Sequence, residues 1–224
     1  MSVWFAIPSK RSPVDAMTVL QQWHGRGYKV AVYRDRADEP LPVDMCVAGD
    51  YEGYPQAVNY LARQILQADS EAEWIVTGGD DILPDMYHAA DQVGHECTTY
   101  FKGTLGVMQP TGERFMEQPD GTCAAERVCV SPWMGREWCQ RGYNGKGPMC
   151  ADYFHFFVDE DMQHVLKRDG LLWHRLDLNQ HHGHWCRHGG GRPEHLNKAQ
   201  LQWAEAKALF AKRKAAGFPG SKLA

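Results

Sequence analysis

The chain opens on a short apolar run, Val3 to Ile7, stopped by Pro8; a run of this kind predicts a buried strand. From Val14 to His24 the apolar positions Val14, Met17, Val19, Leu20 and Trp23 fall near helical spacing, with Gly25 and Gly27 as the stop. Tyr28 to Tyr33 is β-branched and aromatic, a second strand. Pro55 to Ala68 predicts a helix with Ala57, Val58, Leu61, Ile65 and Leu66 on its apolar side. Glu73 to Thr77 predicts a strand broken by Gly78-Gly79, and Pro84 to Val93 a further helix.

This alternation predicts an α/β domain, a mixed but mostly parallel sheet flanked by helices. In such sheets ligands bind beyond the carboxyl ends of the strands. Those ends are Pro8-Ser9-Lys10-Arg11, Arg34-Asp35 and Gly79-Asp80-Asp81, all polar, so one edge is the expected site.

The second half is less regular. Thr111 to Gly121 reads as loop, and Ser131 to Pro148 is rich in glycine, aromatics and arginine. Asp161 to Arg168 predicts a short helix and Leu171 to Leu178 a strand. A His/Gly-rich stretch follows from Gln180 to Gly191. Asn197 to Ala216 then predicts one helix carrying Lys198, Lys207, Lys212, Arg213 and Lys214. Gly189-Gly190-Gly191 is the candidate hinge. It divides a main domain, 1–191, in halves of 1–95 and 96–191, from a basic C-terminal helix and tail, 192–224.

Composition narrows the classes. The 224 residues, 43% of them hydrophobic, suit one domain with its own core. A formal charge of −4 excludes a molecule-wide positive field of the kind nucleic-acid binders carry. No stretch of about 18 apolar residues predicts a membrane span. The first apolar run lacks a basic leader and is read as a strand rather than a signal peptide. Seven cysteines without a Cys-x-x-Cys pair indicate neither a disulfide framework nor a structural zinc site, so a reducing cytoplasm is expected.

Two features carry candidate chemistry. Adjacent carboxylates Asp80 and Asp81 at a glycine turn form a hard-oxygen site suited to Mg²⁺ or Mn²⁺, which share coordination with substrate phosphates. A helix cap is the rival reading of that pair. Further on, His181, His182 and His184 put three imidazoles in four residues, a transition-metal donor set whose rivals are a zinc site and a solvated loop.

With these residues in order, the chain resembles the inverting family-2 glycosyltransferases of the glycosyltransferase-A fold. The matching pieces are Ala6-Ile7-Pro8-Ser9, Val30 to Asp35, Gly53 to Asn59, and Trp74 to Asp85, covering roughly residues 3 to 90. One departure stands out, since that family carries an aspartate where this chain has Gly78. The resemblance implies a nucleotide-diphospho-sugar donor, a UDP-sugar, contacted by Pro8, Ser9, Arg11, Arg34, Asp35, Asn59, Gly79 and Asp80, with Lys10 nearby. It also implies a divalent metal, Mn²⁺ or Mg²⁺, on Asp80, with Asp81 as helper or alternate ligand, and on either His182 or His184, with Trp185 packed behind. Val158-Asp159-Glu160-Asp161-Met162 resembles the segment that supplies the catalytic base, implying Asp161 first, then Glu160 and Asp159. An acidic helix start is the alternative there. Trp133 or Tyr143 would then stack on a sugar or base.

The chain is also similar to short glycosyltransferase-like proteins of bacteriophages, which implies as first acceptor a 5-hydroxymethylpyrimidine in DNA, with Arg136 to Lys146 and the C-terminal helix touching phosphates; a glycan or small molecule is the alternative acceptor. A nucleotidyltransferase and a non-catalytic nucleotide-sugar-binding module are the readings of another class. Oligomeric state has no signature in the sequence.

Overall fold

The computed structural model describes residues 1–189 and 195–224. The candidate hinge at Gly190 and Gly191, and the division drawn there, lie outside the described residues.

The apolar run at the start forms β1 (Ser2–Pro8), and α1 (Pro13–Gly25) follows, with Ser12 Oγ accepting from Asp15 N as its N-cap. Next come β2 (Lys29–Asp35), β3 (Met45–Gly49), α2 (Tyr54–Ala68), β4 (Ala72–Val76) and α3 (Ala90–Phe101). The second half holds β5 (Val107–Pro110), the single turn α4 (Ala124–Arg127), β6 (Trp133–Gly135), α5 (Arg136–Gly145) and α6 (Val158–Asp169). It ends with β7 (Leu172–Arg175), α7 (His195–Leu201) and α8 (Trp203–Ala215).

Among the described residues the strands form one sheet, ordered β3-β2-β1-β4-β6-β5-β7. The pairs β1–β2, β1–β4, β2–β3 and β5–β7 are parallel, and β6 runs antiparallel to both its neighbours. The α/β class and mostly parallel sheet expected from the sequence are therefore present. Side-chain alternation along β1 sends Trp4 and Ala6 to one face and Val3, Phe5 and Ile7 to the other. On the first face α2, α5 and α6 contribute Leu61, Ile65, Trp138, Met162 and Val165. On the second, α1 and α3 contribute Leu20, Trp23, Val93 and Cys97. Among the described residues no helix is long and apolar enough to cross a membrane.

Several elements differ from the sequence reading. The strands β3, β5 and β6 were not expected; they are three to five residues long and lie in stretches interrupted by glycine, proline and charged residues. The helix expected over Pro84 to Val93 starts only at Ala90. Before it, Asp85 Oδ1 accepts from the backbone N–H of Tyr87 and His88, which holds the chain in a turn. The basic C-terminal helix is two helices, α7 and α8, meeting at Gln202.

The C-terminal helix docks through a buried charge. Asp161 in α6 is fully buried, and Arg213 of α8 reaches it with Nε at 2.6 Å. Tyr143 and Tyr153 donate their hydroxyls to the two carboxylate oxygens at 2.9 and 3.1 Å. Phe210 stacks on Phe157 beside this pair. Removing one member of a buried pair leaves the other charge uncompensated, at a cost of about 3–5 kcal/mol. Arg213→Met is therefore expected to lower the unfolding free energy by about that amount in urea denaturation, and Asp161→Asn to destabilise in the same direction.

Candidate active site at the carboxyl edge of the sheet

The parallel strands β2, β1 and β4 end at one edge, and β6, running the other way, starts there. At that edge Thr77 leaves β4, with its Oγ1 donating to Ala6 O and its N–H to Pro132 O. Gly78 follows at φ +155°. A Cβ on it would stand 2.7 Å from Ile82 Cδ1 and 3.3 Å from Val130 O. A side chain at the position that holds aspartate in the enzymes the sequence resembles is thus disfavoured here, by a φ that L residues rarely adopt and by the need to displace the Ile82 side chain.

The two aspartates then part. Asp80 Oδ2 accepts from Ser9 Oγ at 2.7 Å, and its Oδ1 pairs with Arg11 Nε at 3.0 Å. Asp80 therefore ties the β1 loop to the β4 turn. Asp81 faces the other way, 3.3 Å from His182 Nε2. Burial pushes the Asp81 carboxyl up, but the His182 hydrogen bond and charge, with Arg11, more than offset it and hold the pKa below the usual range.

Backbone pairing brings His182 to Asp81. Ile82 and His182 form an antiparallel bridge, Leu83 N donates to His181 O at 2.8 Å, and Gly183 N donates to Asp81 O at 2.8 Å. Asp85 Oδ2 accepts from Asn179 N at 2.8 Å just before this segment. The His182 and His184 rings stand 5.1 Å apart, and His184 Nδ1 lies 2.9 Å from Cys186 Sγ. Burial, then the neighbouring His182 and Arg187 charges, lower the His184 pKa, and Trp185 packs against His184.

Among the described residues no group of three or more His, Cys, Asp and Glu side chains stands ready to hold a metal alone. The donors that do converge are one carboxylate and one imidazole, Asp81 and His182. That set fits a divalent ion which takes its remaining ligands from a diphosphate and water. Because it includes an imidazole, it suits Mn²⁺ better than Mg²⁺.

Other expected site residues have different work. Arg34 is buried and donates to the backbone carbonyls of Ser9, Arg11 and Glu39, so it shapes the β1 loop and has no free face for a nucleotide. Asn59 is buried and exchanges both amide hydrogen bonds with the backbone of Met149. Trp133 and Tyr143 are core residues, with 0% and 3% exposure, and cannot stack on a ligand. Asp161, expected as the base, is sealed in the ion pair with Arg213. Pro8, Gly79 and the half-buried Asp35 do sit at the expected edge.

The start of α6 presents Asp159 and Glu160 instead, both half-buried. Burial, and then the Asp159 charge and hydrogen bond, push the Glu160 pKa well above the carboxylate range. Tyr54 bridges this pair to the sheet edge. Its hydroxyl lies 3.2 Å from Thr77 Oγ1, and its pKa is raised first by burial and further by Asp159. Tyr54, His155 and Phe156 form a series of edge-to-face aromatic contacts, and Tyr51 meets Phe154 edge-to-face as a separate pair. Sequence reasoning missed Tyr54 and this group; the only available signal was the density of aromatics from Tyr153 to Phe157.

No protein-family model matches the chain, and no curated protein sequence does. Among solved structures the chain is similar to the catalytic domain of Drosophila beta1,4-galactosyltransferase 7 in complex with xylobiose. The TM-score is 0.50 at 12% identity, over 84% of this chain and 72% of that one. An aspartate-to-asparagine mutant of the same enzyme, in complex with manganese, UDP-Gal and xylobiose, matches with a TM-score of 0.48 at 14% identity, over 84% and 74% of the two chains.

Two outcomes test the edge. Gly78→Ala is expected to destabilise by about 1–3 kcal/mol through the Ile82 clash, read by chemical denaturation. Asp81 and Asp85 both have lowered carboxyl pKa values; for Asp85, backbone N–H groups and His88 outweigh the effect of burial. Their stabilisation is present above the unfolded value of about 4 and is lost as pH falls through the lower folded values. The wild-type unfolding free energy should therefore drop through that acid range, with a shallower slope in Asp85→Asn.

By its strand order and the 84% of the chain that superimposes, the protein has a glycosyltransferase-A type fold, a single α/β domain with helices on both faces of a mixed sheet.

Proposed function

We propose that the chain is a metal-dependent glycosyltransferase that moves a sugar from a nucleotide-diphospho-sugar, a UDP-sugar, to an acceptor hydroxyl with inversion. The observation that carries this reading is the pairing of Asp81 with His182 at the carboxyl edge of a glycosyltransferase-A type sheet.

In this reading Asp81 and His182 hold the divalent ion, with Mn²⁺ favoured and His184 as the adjacent imidazole. The bound ion supplies positive charge against the leaving nucleoside diphosphate, often a large catalytic contribution. Asp80 acts indirectly, by fixing Ser9 and Arg11, and the half-exposed Arg11 guanidinium keeps donors for a phosphate. Asp35 and Pro8 border the nucleoside side of the edge.

The acceptor hydroxyl loses its proton as its oxygen bonds to the sugar carbon and the bond from that carbon to the diphosphate oxygen breaks. An inverting transfer needs a carboxylate to receive that proton. Asp159 fits this role, with the half-buried Glu160 beside it. The buried Asp161 does not.

For the acceptor, a glycan or small glycoside is favoured over DNA. Arg136 donates to the carbonyls of Leu66, Asp69, Ser70 and Ala72; Arg141 donates to Ala224 O; and Arg213 is buried against Asp161. Lys207 and Lys214 lie over the Trp203 and Phe210 rings. The three arginines are thus engaged within the fold rather than set out for a phosphate backbone. The half-buried rings of Tyr51, Phe154 and His155 instead suit the apolar face of a sugar.

The test is a UDP-sugar panel with Mn²⁺, read by UDP release and by mass spectrometry. Glycoside acceptors and hydroxymethylpyrimidine DNA are offered side by side. A hexose increment on a glycoside is expected; an increment on DNA alone would reverse the acceptor assignment, and no UDP release with any donor would reject the enzyme. Asp159→Asn should lower kcat by about 10²–10⁴-fold with donor affinity kept. Asp81→Ala should abolish Mn²⁺-dependent turnover.

A further inference from the structure

The segment that carries His182 has little regular structure of its own; it holds a bridge residue and then a single 3₁₀ turn, Trp185–His188. Such a segment can present an imidazole in a fixed orientation only if its backbone is pinned from outside. One side is pinned by the bridge to Ile82. The other is pinned by a single residue of the loop after β5, Glu113.

Glu113 is largely buried, its side chain 13% exposed. Its Oε2 accepts the backbone N–H of His182 at 2.6 Å. Its Oε1 pairs with His181 Nδ1 at 2.9 Å and with Arg187 Nη2. One carboxylate thus grips the segment before, at and after His182. Phe115, two residues further on, packs against the rings of both His182 and His184, with centroids 5.4 Å away in each case, and the Arg187 guanidinium lies over the Phe115 ring, 4.3 Å from its centroid.

We propose that Glu113 is the positioning residue for the metal-ligating imidazole: it holds the His182 backbone so that Nε2 points at Asp81. The inference rests on the metal reading given under Proposed function. Glu113 is not itself a ligand, because its oxygens are taken up by the His182 N–H, His181 and Arg187. It acts through the His182 backbone rather than through the ring; carboxylates that hydrogen-bond a ligating ring directly are worth about 10–100-fold in metal affinity, and a grip on the backbone is expected at the low end of that range.

The test uses the full chain with Mn²⁺ titrated in the presence of saturating UDP, bound ion being followed by electron paramagnetic resonance. Glu113→Gln is expected to weaken Mn²⁺ binding by about tenfold or more. Glu113→Asp, which keeps the charge, should recover part of it. Far-UV circular dichroism and metal-free UDP binding should stay as in the wild type. In a His182→Ala background, Glu113→Gln should have no further effect on Mn²⁺ affinity, a coupling that a merely structural role would not produce. If Glu113→Gln does not fold, Arg187→Gln, which removes one arm of the grip, takes its place with a smaller expected loss. Unchanged Mn²⁺ affinity in the folded variants, or equal additive losses in the His182→Ala background, would overturn the role of Glu113. Failure of the wild type to bind Mn²⁺ would instead reject the metal reading itself, and this inference with it.

Discussion

The candidate site depends on a few backbone hydrogen bonds between two segments far apart in the chain. Ile82 bridges His182, with Leu83 N donating to His181 O and Gly183 N to Asp81 O on either side. Gly183 is needed for that approach, since a Cβ on it would stand 3.0 Å from Asp81 O. The Ile82 carbonyl is itself anchored, accepting from Trp23 Nε1 at 2.9 Å, and Trp23 stacks on Phe5 of β1. A chain of contacts thus runs from the middle of the sheet through a core tryptophan to the Asp81 turn and then to His182. Loss of the bridge would leave Asp81 as a lone carboxylate on a turn.

Much of the polar chemistry near this edge supports the backbone rather than facing a ligand. Arg34 gathers three carbonyls, Asn59 clamps Met149, and Asp80 holds Ser9 and Arg11. Buried polar groups must be paired, and irregular loops have many unpaired carbonyls and N–H groups to satisfy. A mostly parallel sheet with its loops collected at one edge concentrates that need where the ligand would bind. Scaffold and site residues therefore lie side by side there.

The same distinction separates neighbouring residues at the start of α6. Asp159, Glu160 and Asp161 are consecutive carboxylates, yet helical geometry turns the third inward against Arg213, Tyr143 and Tyr153 and leaves the first two half-buried. The helical turn of about 100° per residue is enough to give one a structural role and leave the others beside Tyr54. Arg213, which reads in the sequence as part of a basic surface helix, becomes the counter-ion that docks that helix.

The sequence by itself determined the α/β class, the parallel first half and the edge at which the candidate site lies. These follow from hydrophobic period and from polar strand ends, both local properties of the chain. It also drew attention to the Asp80-Asp81 pair and to the His181–His184 cluster, because paired carboxylates after a glycine turn and clustered imidazoles are rare enough to notice, but it put Asp80 ahead of Asp81 and did not choose between His182 and His184. The short strands β3, β5 and β6 escaped it, since they lie in stretches interrupted by glycine, proline and charged residues and are identified only by the strands they pair with. Only the tertiary structure decided which of Asp80 and Asp81 faces His182, which carboxylate of α6 is buried, and which arginines remain free. Those outcomes depend on burial and on partners distant in sequence, and a charged residue has the same one-letter code whether it holds the fold together or faces a substrate.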